Sequence, residues 1–469
     1  MSSPDQSLFP AGRALAQFVA STRSLPDHVD QCIQTLVTDG IGTLVAAANP
    51  DFPTGQRVVK TVTEFGGAPQ SSIIGGAFKT SVVNAALANG TMGYACDLEP
   101  HHPEGILHPI AIMIPVALAV GEYAGATGQE FLTAVAVGCE VEYRLSMALG
   151  PGEQYNLGFH PSAVCGAFGA TAAAASLLKL DAETVARAFG LAACQASGLM
   201  AWESEPTENA RAFQMGMAAR NGVTAAFLAR NDFGGPKNVL DTGHTVFHAF
   251  SRNPSPENLL RDLGQTWDGV TELAIKPYSS VAFLHPALDA LFEMMEEENL
   301  SASDIEHLTM RFSRTGVHCV DGNPLKSHCA QYILSVAAVN GVLDVSDIFF
   351  DRRETNPEIA DLSSRIDVAI DEELEKIFPD FYATILDVRT RNGRNISKRQ
   401  DIARGYPESP MTEDELSAKF FDLVTRVTTP EHAETIRNTA QALPELTRIT
   451  DLADLLRDLP APALQEEAS

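Results

Sequence analysis

The run Cys96–Pro109, CDLEPHHPEGILHP, gathers the carboxylates Asp97, Glu99 and Glu104 with the imidazoles His101, His102 and His108. Carboxylates beside imidazoles suit proton transfer, because each group can tune the other's affinity for a proton. Pro100, Pro103, Gly105 and Pro109 prevent one continuous helix across the run. The flanking segments SVVNAALANGTMGYA and IAIMIPVALAVGEYAGATG are apolar on most faces and read as buried helices. Ionisable groups between such helices are costly unless paired or used. The plain alternative is a solvated surface loop.

Four further clusters carry polar chemistry. His160 in GFHPSAVCGAFGA precedes a very apolar helix, where a lone histidine is more often a cap or core residue. Arg211 and Gln214 lie in ENARAFQMGMAARNG, and an arginine at a helix start is usually solvated. In AIKPYSSVAFLHPALDAL, Lys276 stands among apolar and proline neighbours, so partial desolvation would lower its pKa and suit it to acid–base work; His285 opens the next helix. In DGNPLKSHCAQYILSVAAVNG, His328 and Tyr332 are four apart and share a helix face.

Other chemistries lack their signals. HExxH is absent, and His101-His102-Pro103 cannot present two metal ligands at helical spacing. A metal site built from Asp97, His102, His108 and His160 is conceivable, but no spacing selects it. No Walker A loop or GxSxG elbow occurs, and the glycines near 121–128 fall between helices and not after a strand. The set that remains suits abstraction of a proton next to a carboxylate, with cations holding the anion that develops.

The 469 residues suffice for two domains, and the net charge of -27 argues against nucleic acid as a partner. Seven scattered cysteines without a CxxC pair fit a reducing compartment, and neither a secretion signal nor a spanning segment is read, so a soluble cytoplasmic protein is expected. Helix signals dominate to about residue 230, beginning with a helix over 7–21 and a second capped by Ser24. The segment 51–72 reads as mixed, with turns at Pro53–Gly55. IEHLTMRFS (305–313), SRIDVAID (364–371) and YATILDVRTRNG (382–393) read as strands, with helices at 286–299 and 328–342 between them. Thr412 to Glu415 fits a capping box, and the tail APALQEEAS reads as frayed. The expectation is a mainly α protein: an all-α domain from 1–268 and 410–469, and an α+β module from 269–409.

Taken together, the motifs resemble the MmgE/PrpD family. They are the acidic–His loop ending in His108-Pro109, ALAVGEYAGATGQEFLTAVAVGCEVEYRL, GFHPSAVCGAFGATAAAA, FQMGMAARNGVTAAFLA, KPY with His285, SHCAQYILSVA and SPMTEDELSAKF, in consistent order over roughly 30–425. The resemblance implies an all-α domain with a smaller α+β lid, a homodimer, an active site between the domains and catalysis without cofactor or metal. It implies Asp97, His108, His160 and Lys276 as catalytic residues. Tyr332 orients a small carboxylate substrate, and Arg211 stands where many relatives have lysine; His102, Gln214 and His285 complete the substrate-binding set. The acidic loop departs from the family's usual DFDDTH, and Ser280-Val281 replace a serine–cysteine pair. The implied activity is a lyase, first a dehydratase of the 2-methylcitrate type. The alternatives are a cis-aconitate-type decarboxylase, an iminodisuccinate-type epimerase or a carboxylate-binding pseudoenzyme.

Overall fold

A computed structural model describes residues 10–378 and 381–461. Residues 7–9 of the first expected helix and all but Ala461 of the expected frayed tail lie outside the described residues. The protein is mainly α-helical. One hydrophobic core extends from Leu15 to Ile275 and takes in Phe420 to Leu456; a second extends from Ala282 to Val388.

The first core is built on α1 (Asp27–Ala46), α2 (Val82–Met92), α3 (Pro109–Ala124), α4 (Gly128–Leu149), α5 (Pro161–Leu177) and α6 (Asn209–Arg230). Every residue of α5 is buried, because its alanines and glycines let α4 and α6 pack against it at short range. A Cβ on Gly222 would meet Ala170 at 2.4 Å, and one on Gly169 would meet Met113 at the same distance. Thr127 and Glu130 form a capping box that starts α4, while Pro109 and Pro161 open α3 and α5 from positions where no amide hydrogen bond is lost.

Two expectations need correction here. Segment 51–72 is mixed, a helix over Pro53–Phe65 and a short strand at Ser71–Ser72, but Pro53–Gly55 is not a turn: Pro53 supplies a first-turn residue and Gly55 packs under the Ala47 carbonyl. Ser24 does not cap α1; Pro26 occupies the N-cap position, with Asp27 and Asp30 in the first turn facing the helix dipole.

The second core covers a four-stranded sheet. Strands β1 (Ile305–Phe312), β2 (Ile366–Ile370), β3 (Thr384–Thr390) and β4 (Asn395–Gln400) lie in the order β2-β1-β3-β4. β1 pairs with β2 in parallel and with β3 antiparallel, and β3 pairs antiparallel with β4. Helices α7 (His285–Glu297) and α8 (Ala330–Asn340) pack on this sheet. The turn read at Asn392-Gly393 joins β3 to β4. Edge strand β4, NISKRQ, alternates only between exposed and half-buried positions and so lacks the apolar alternation that marks a strand in sequence. Further on, Thr412 and Glu415 form the expected capping box of α9 (Glu413–Val424). No helix among the described residues is long and apolar enough to cross a membrane.

Candidate active site

The acidic run is enclosed between the two cores. Asp97, Glu99 and His102 are wholly inaccessible and His101 nearly so, so the solvated-loop alternative does not hold. Backbone hydrogen bonds define its path: His101 exchanges both bonds with Ala274, and His102 exchanges both with Leu107. The first exchange clamps the loop to the strand-like segment that ends in Lys276, and Ser279 Oγ donates to the Cys96 carbonyl at 2.6 Å. Gly405 approaches the other side of this segment, where Ile275 N donates to its carbonyl. Its φ of +94° and the 1.9 Å at which a Cβ would meet the Ile275 carbonyl require glycine.

Lys276 is thereby held against the loop. Its Nζ lies 2.5 Å from Asp97 Oδ1 and 3.4 Å from Glu99 Oε1, and it is fully buried. Arg211 reaches the same Asp97 oxygen at 3.2 Å through Nη1 and Glu208 Oε2 at 2.8 Å through Nη2, and its guanidinium stacks 4.1 Å above the Tyr94 ring. The helix-start arginine expected to be solvated is instead among the largest fully buried side chains. Asp97 has φ +48°, a conformation disfavoured for a residue with a Cβ, so the surrounding pairs stabilise a strained backbone.

The charges are tuned by this arrangement. Burial alone would raise the Asp97 pKa, but the adjacent Arg211 and Lys276 outweigh it and hold the carboxyl well below its usual range. Glu99 is pushed up to about 7 by burial and by Asp97, against the pull of Lys276. Glu208 is also raised, chiefly by burial. The inner cluster thus sets three carboxylates against two cations, and Glu99 is the one that takes up a proton near neutrality.

A cavity of about 50 Å³ opens beside the cluster, lined by Tyr94, Asp97, His108, His160 and Arg211 from the first core and by Phe283 and His328 from the second. Its imidazoles are neutral. Burial first, then nearby cations, pushes His101, His108 and His328 well below the usual histidine value; His160 falls to about 4. His160 occupies the N-cap position of α5, and its Nδ1 lies 2.9 Å from Gln214 Oε1. Gln214 Nε2 donates to the Leu199 carbonyl, so its oxygen accepts from His160 and the proton sits on Nδ1, leaving Nε2 unprotonated. His108 Nδ1 lies 2.7 Å from Glu99 Oε1, out of line for a hydrogen bond.

The nine residues singled out from sequence therefore occupy distinct places. Asp97, His108, His160, His102 and Arg211 line the cavity, and Lys276 stands behind Asp97. Both ring nitrogens of His102 are committed, Nδ1 accepting from Gly105 N and Nε2 lying 3.1 Å from the Asp268 carbonyl, so His102 shapes the loop and has no nitrogen left for a substrate. Gln214 orients His160. His285 lies outside the cavity wall, with Nε2 3.3 Å from the Ser280 carbonyl. Tyr332 also lies outside the wall; its hydroxyl shares its one proton between the Asp347 and Phe350 carbonyls, 2.7 and 2.9 Å away, and accepts from Arg352 N, which commits it to folding the second module. Tyr94, Trp202 and Tyr382 line the cavity without having been singled out. Among the described residues no group of three or more histidine, cysteine or acidic side chains is arranged to hold a metal.

Comparison with known proteins covers both halves of this architecture. The relatives include cis-aconitate decarboxylase of Aspergillus terreus, 27% identical over a 464-residue alignment that spans 93% of each chain. The cis-aconitate decarboxylase of Mus musculus is 26% identical over 438 residues, 89% of this chain and 87% of its own. That of Homo sapiens is 26% identical over 389 residues, 80% and 79%. Residues 13–259 match the MmgE/PrpD N-terminal domain and residues 278–445 the MmgE/PrpD C-terminal domain, so the cavity lies where two matched domains meet and the chain belongs to the MmgE/PrpD family.

Proposed function

We propose that the protein is a cofactor-independent lyase that decarboxylates a small unsaturated di- or tricarboxylate of the cis-aconitate class. The observation that carries this reading is the end-to-end similarity to cis-aconitate decarboxylases of both fungal and mammalian origin. It favours decarboxylation over the dehydration expected first from the sequence. The site supports the same preference on physical grounds. Decarboxylation converts a charged carboxylate into neutral CO2, and an enclosed cavity that excludes water favours that loss of charge.

In this reading Arg211 and the cation of Lys276, acting through Asp97, set the field that holds the substrate's carboxylates. The C–C bond to the leaving carboxylate breaks, its electron pair stays on carbon and spreads into the remaining carboxylates, and a proton then forms the new C–H bond. His160 and His108 flank the position where that charge develops. Typical ligand sites measure about 300 Å³ or more, so the second module serves as a lid that moves aside to admit substrate to the 50 Å³ cavity. A homodimer in the cytoplasm remains part of the proposal.

The test is product analysis with the purified full chain. Incubation with cis-aconitate is expected to release CO2 stoichiometrically with substrate loss. Hydration or dehydration of 2-methylcitrate-type acids without CO2, or interconversion of iminodisuccinate-type stereoisomers, would replace the decarboxylase reading.

A further inference from the structure

Each decarboxylation consumes one proton, which must reach a carbanion inside a closed cavity. The second module contributes one imidazole to the cavity wall, His328, which precedes α8. Its Nδ1 lies 2.8 Å from Ser327 Oγ, and Ser327 Oγ donates to Glu208 Oε1 at 2.7 Å. Because the serine's single proton is committed to the carboxylate, its oxygen accepts from His328. The imidazole is thereby fixed with its proton on Nδ1, leaving Nε2 for the cavity. Glu208 belongs to the other core, where its second oxygen holds Arg211. The chain Glu208–Ser327–His328 therefore crosses the seam between the two modules and is complete only when they meet.

We propose that His328, oriented by Ser327 and Glu208, delivers the proton to the carbanion left by CO2; this deepens the decarboxylase reading and rests on it. His160 is the weaker candidate, since its Nδ1 partner is the neutral Gln214, which offers an imidazolium no compensating charge. His328 Nδ1 also lies 3.8 Å from Asp97 Oδ2, a buried oxygen without a hydrogen-bond partner. Asp97 thus supports the charged form of His328, while burial first, and then Arg211, Lys276 and His108, oppose it. A polyanionic substrate shifts that balance toward protonation, so His328 takes up a proton from solvent as the substrate binds. After C–CO2 cleavage, Nε2–H transfers its proton to carbon, the imidazole returns to neutral, and binding of the next substrate draws the next proton from solvent. Placing the donor on the lid keeps it away from the reacting atoms until the cavity has closed.

The experiment uses the full chain with cis-aconitate, in parallel with the saturated tricarboxylate tricarballylate as a non-reacting ligand. His328→Gly is expected to lower kcat by about 10²–10⁴-fold, with partial recovery when imidazole is added. Ser327→Ala keeps the imidazole but loses its orientation; kcat is expected to fall about tenfold with a displaced pH profile and little change in KM. Histidine 15N spectra of the wild type are expected to show His328 as the Nδ1–H form, becoming doubly protonated with tricarballylate. Undiminished kcat in folded His328→Gly overturns the proposal, as does an Nε2–H form that persists at saturating tricarballylate. If His328→Gly does not fold, Ser327→Ala and the spectra decide. Wild-type protein that releases no CO2 removes the decarboxylase reading together with the relay, whereas CO2 release with intact variants removes the relay alone.

Discussion

Lys276 and Lys398 each pair with two carboxylates, yet they belong to different physical worlds. Lys276 meets Asp97 and Glu99 at 2.5 and 3.4 Å with no solvent contact, and the carboxylates it meets are equally enclosed. Lys398, on edge strand β4, meets Glu293 and Glu297 of α7 at 2.7 and 2.9 Å, with both carboxylates about half exposed. At the surface, water replaces whatever the partners lose, so such pairs contribute little. Inside, the desolvation cost of each ion is offset only by the others, and removal of one leaves the rest uncompensated. A well-packed apolar cluster would serve stability better than the inner one. Under the proposed function, its charges serve the cavity beside them, where Arg211 and Asp97 form part of the wall.

The largest expected break in this comparison is Lys276→Met. It leaves Asp97 and Glu99 buried without their shared cation, and a loss of about 3–5 kcal/mol in chemical denaturation is expected, along with loss of turnover. Arg211→Lys comes next. A single ammonium cannot span Asp97 and Glu208 as the guanidinium fork does. Loss of one charge-assisted hydrogen bond, about 1.5–3 kcal/mol, corresponds to a fall of roughly 10–100-fold in kcat/KM.

Glu99 sharpens the comparison through pH. Its folded pKa of about 7 lies above the ordinary value of 4.5, so the folded state holds a proton that the unfolded state has released between those limits. Its contribution to stability is complete below about pH 4.5 and is lost as pH rises through about 7. Glu99→Gln removes that titration, so its melting temperature relative to wild type is expected to climb from pH 5 to pH 8. For the wild type, kcat/KM toward an anionic substrate is expected to fall as pH passes about 7, because Glu99 then adds a negative charge beside the cavity. The smallest effect is expected at the surface: Lys398→Ala should change stability by less than about 1 kcal/mol and leave turnover unaltered.

The sequence by itself determined much of this protein. Ionisable residues broken up by prolines between two apolar helices marked the Cys96–Pro109 run as the candidate site, since such groups persist near a core only when paired or used. Periodicity revealed most of the long helices and three strands, but not the helix Pro53–Phe65 or β4, whose residues face water or half-buried positions on both sides. Spacing on a helix tells which residues neighbour each other, not which of them a distant cavity reaches. Hence the sequence favoured Tyr332 as the substrate residue and put His328 on the same helix face, whereas His328 lies in the turn before α8 and lines the cavity, and the Tyr332 hydroxyl binds backbone carbonyls. The tertiary structure alone decided that Lys276, 179 residues from Asp97, meets it. It also decided that Arg211 is buried and that Glu208 and Ser327 join across the seam. These are long-range pairings between polar groups. Their energies depend on the dielectric and the neighbours each group acquires only when the two cores close on one another, and no local pattern in the chain encodes that environment.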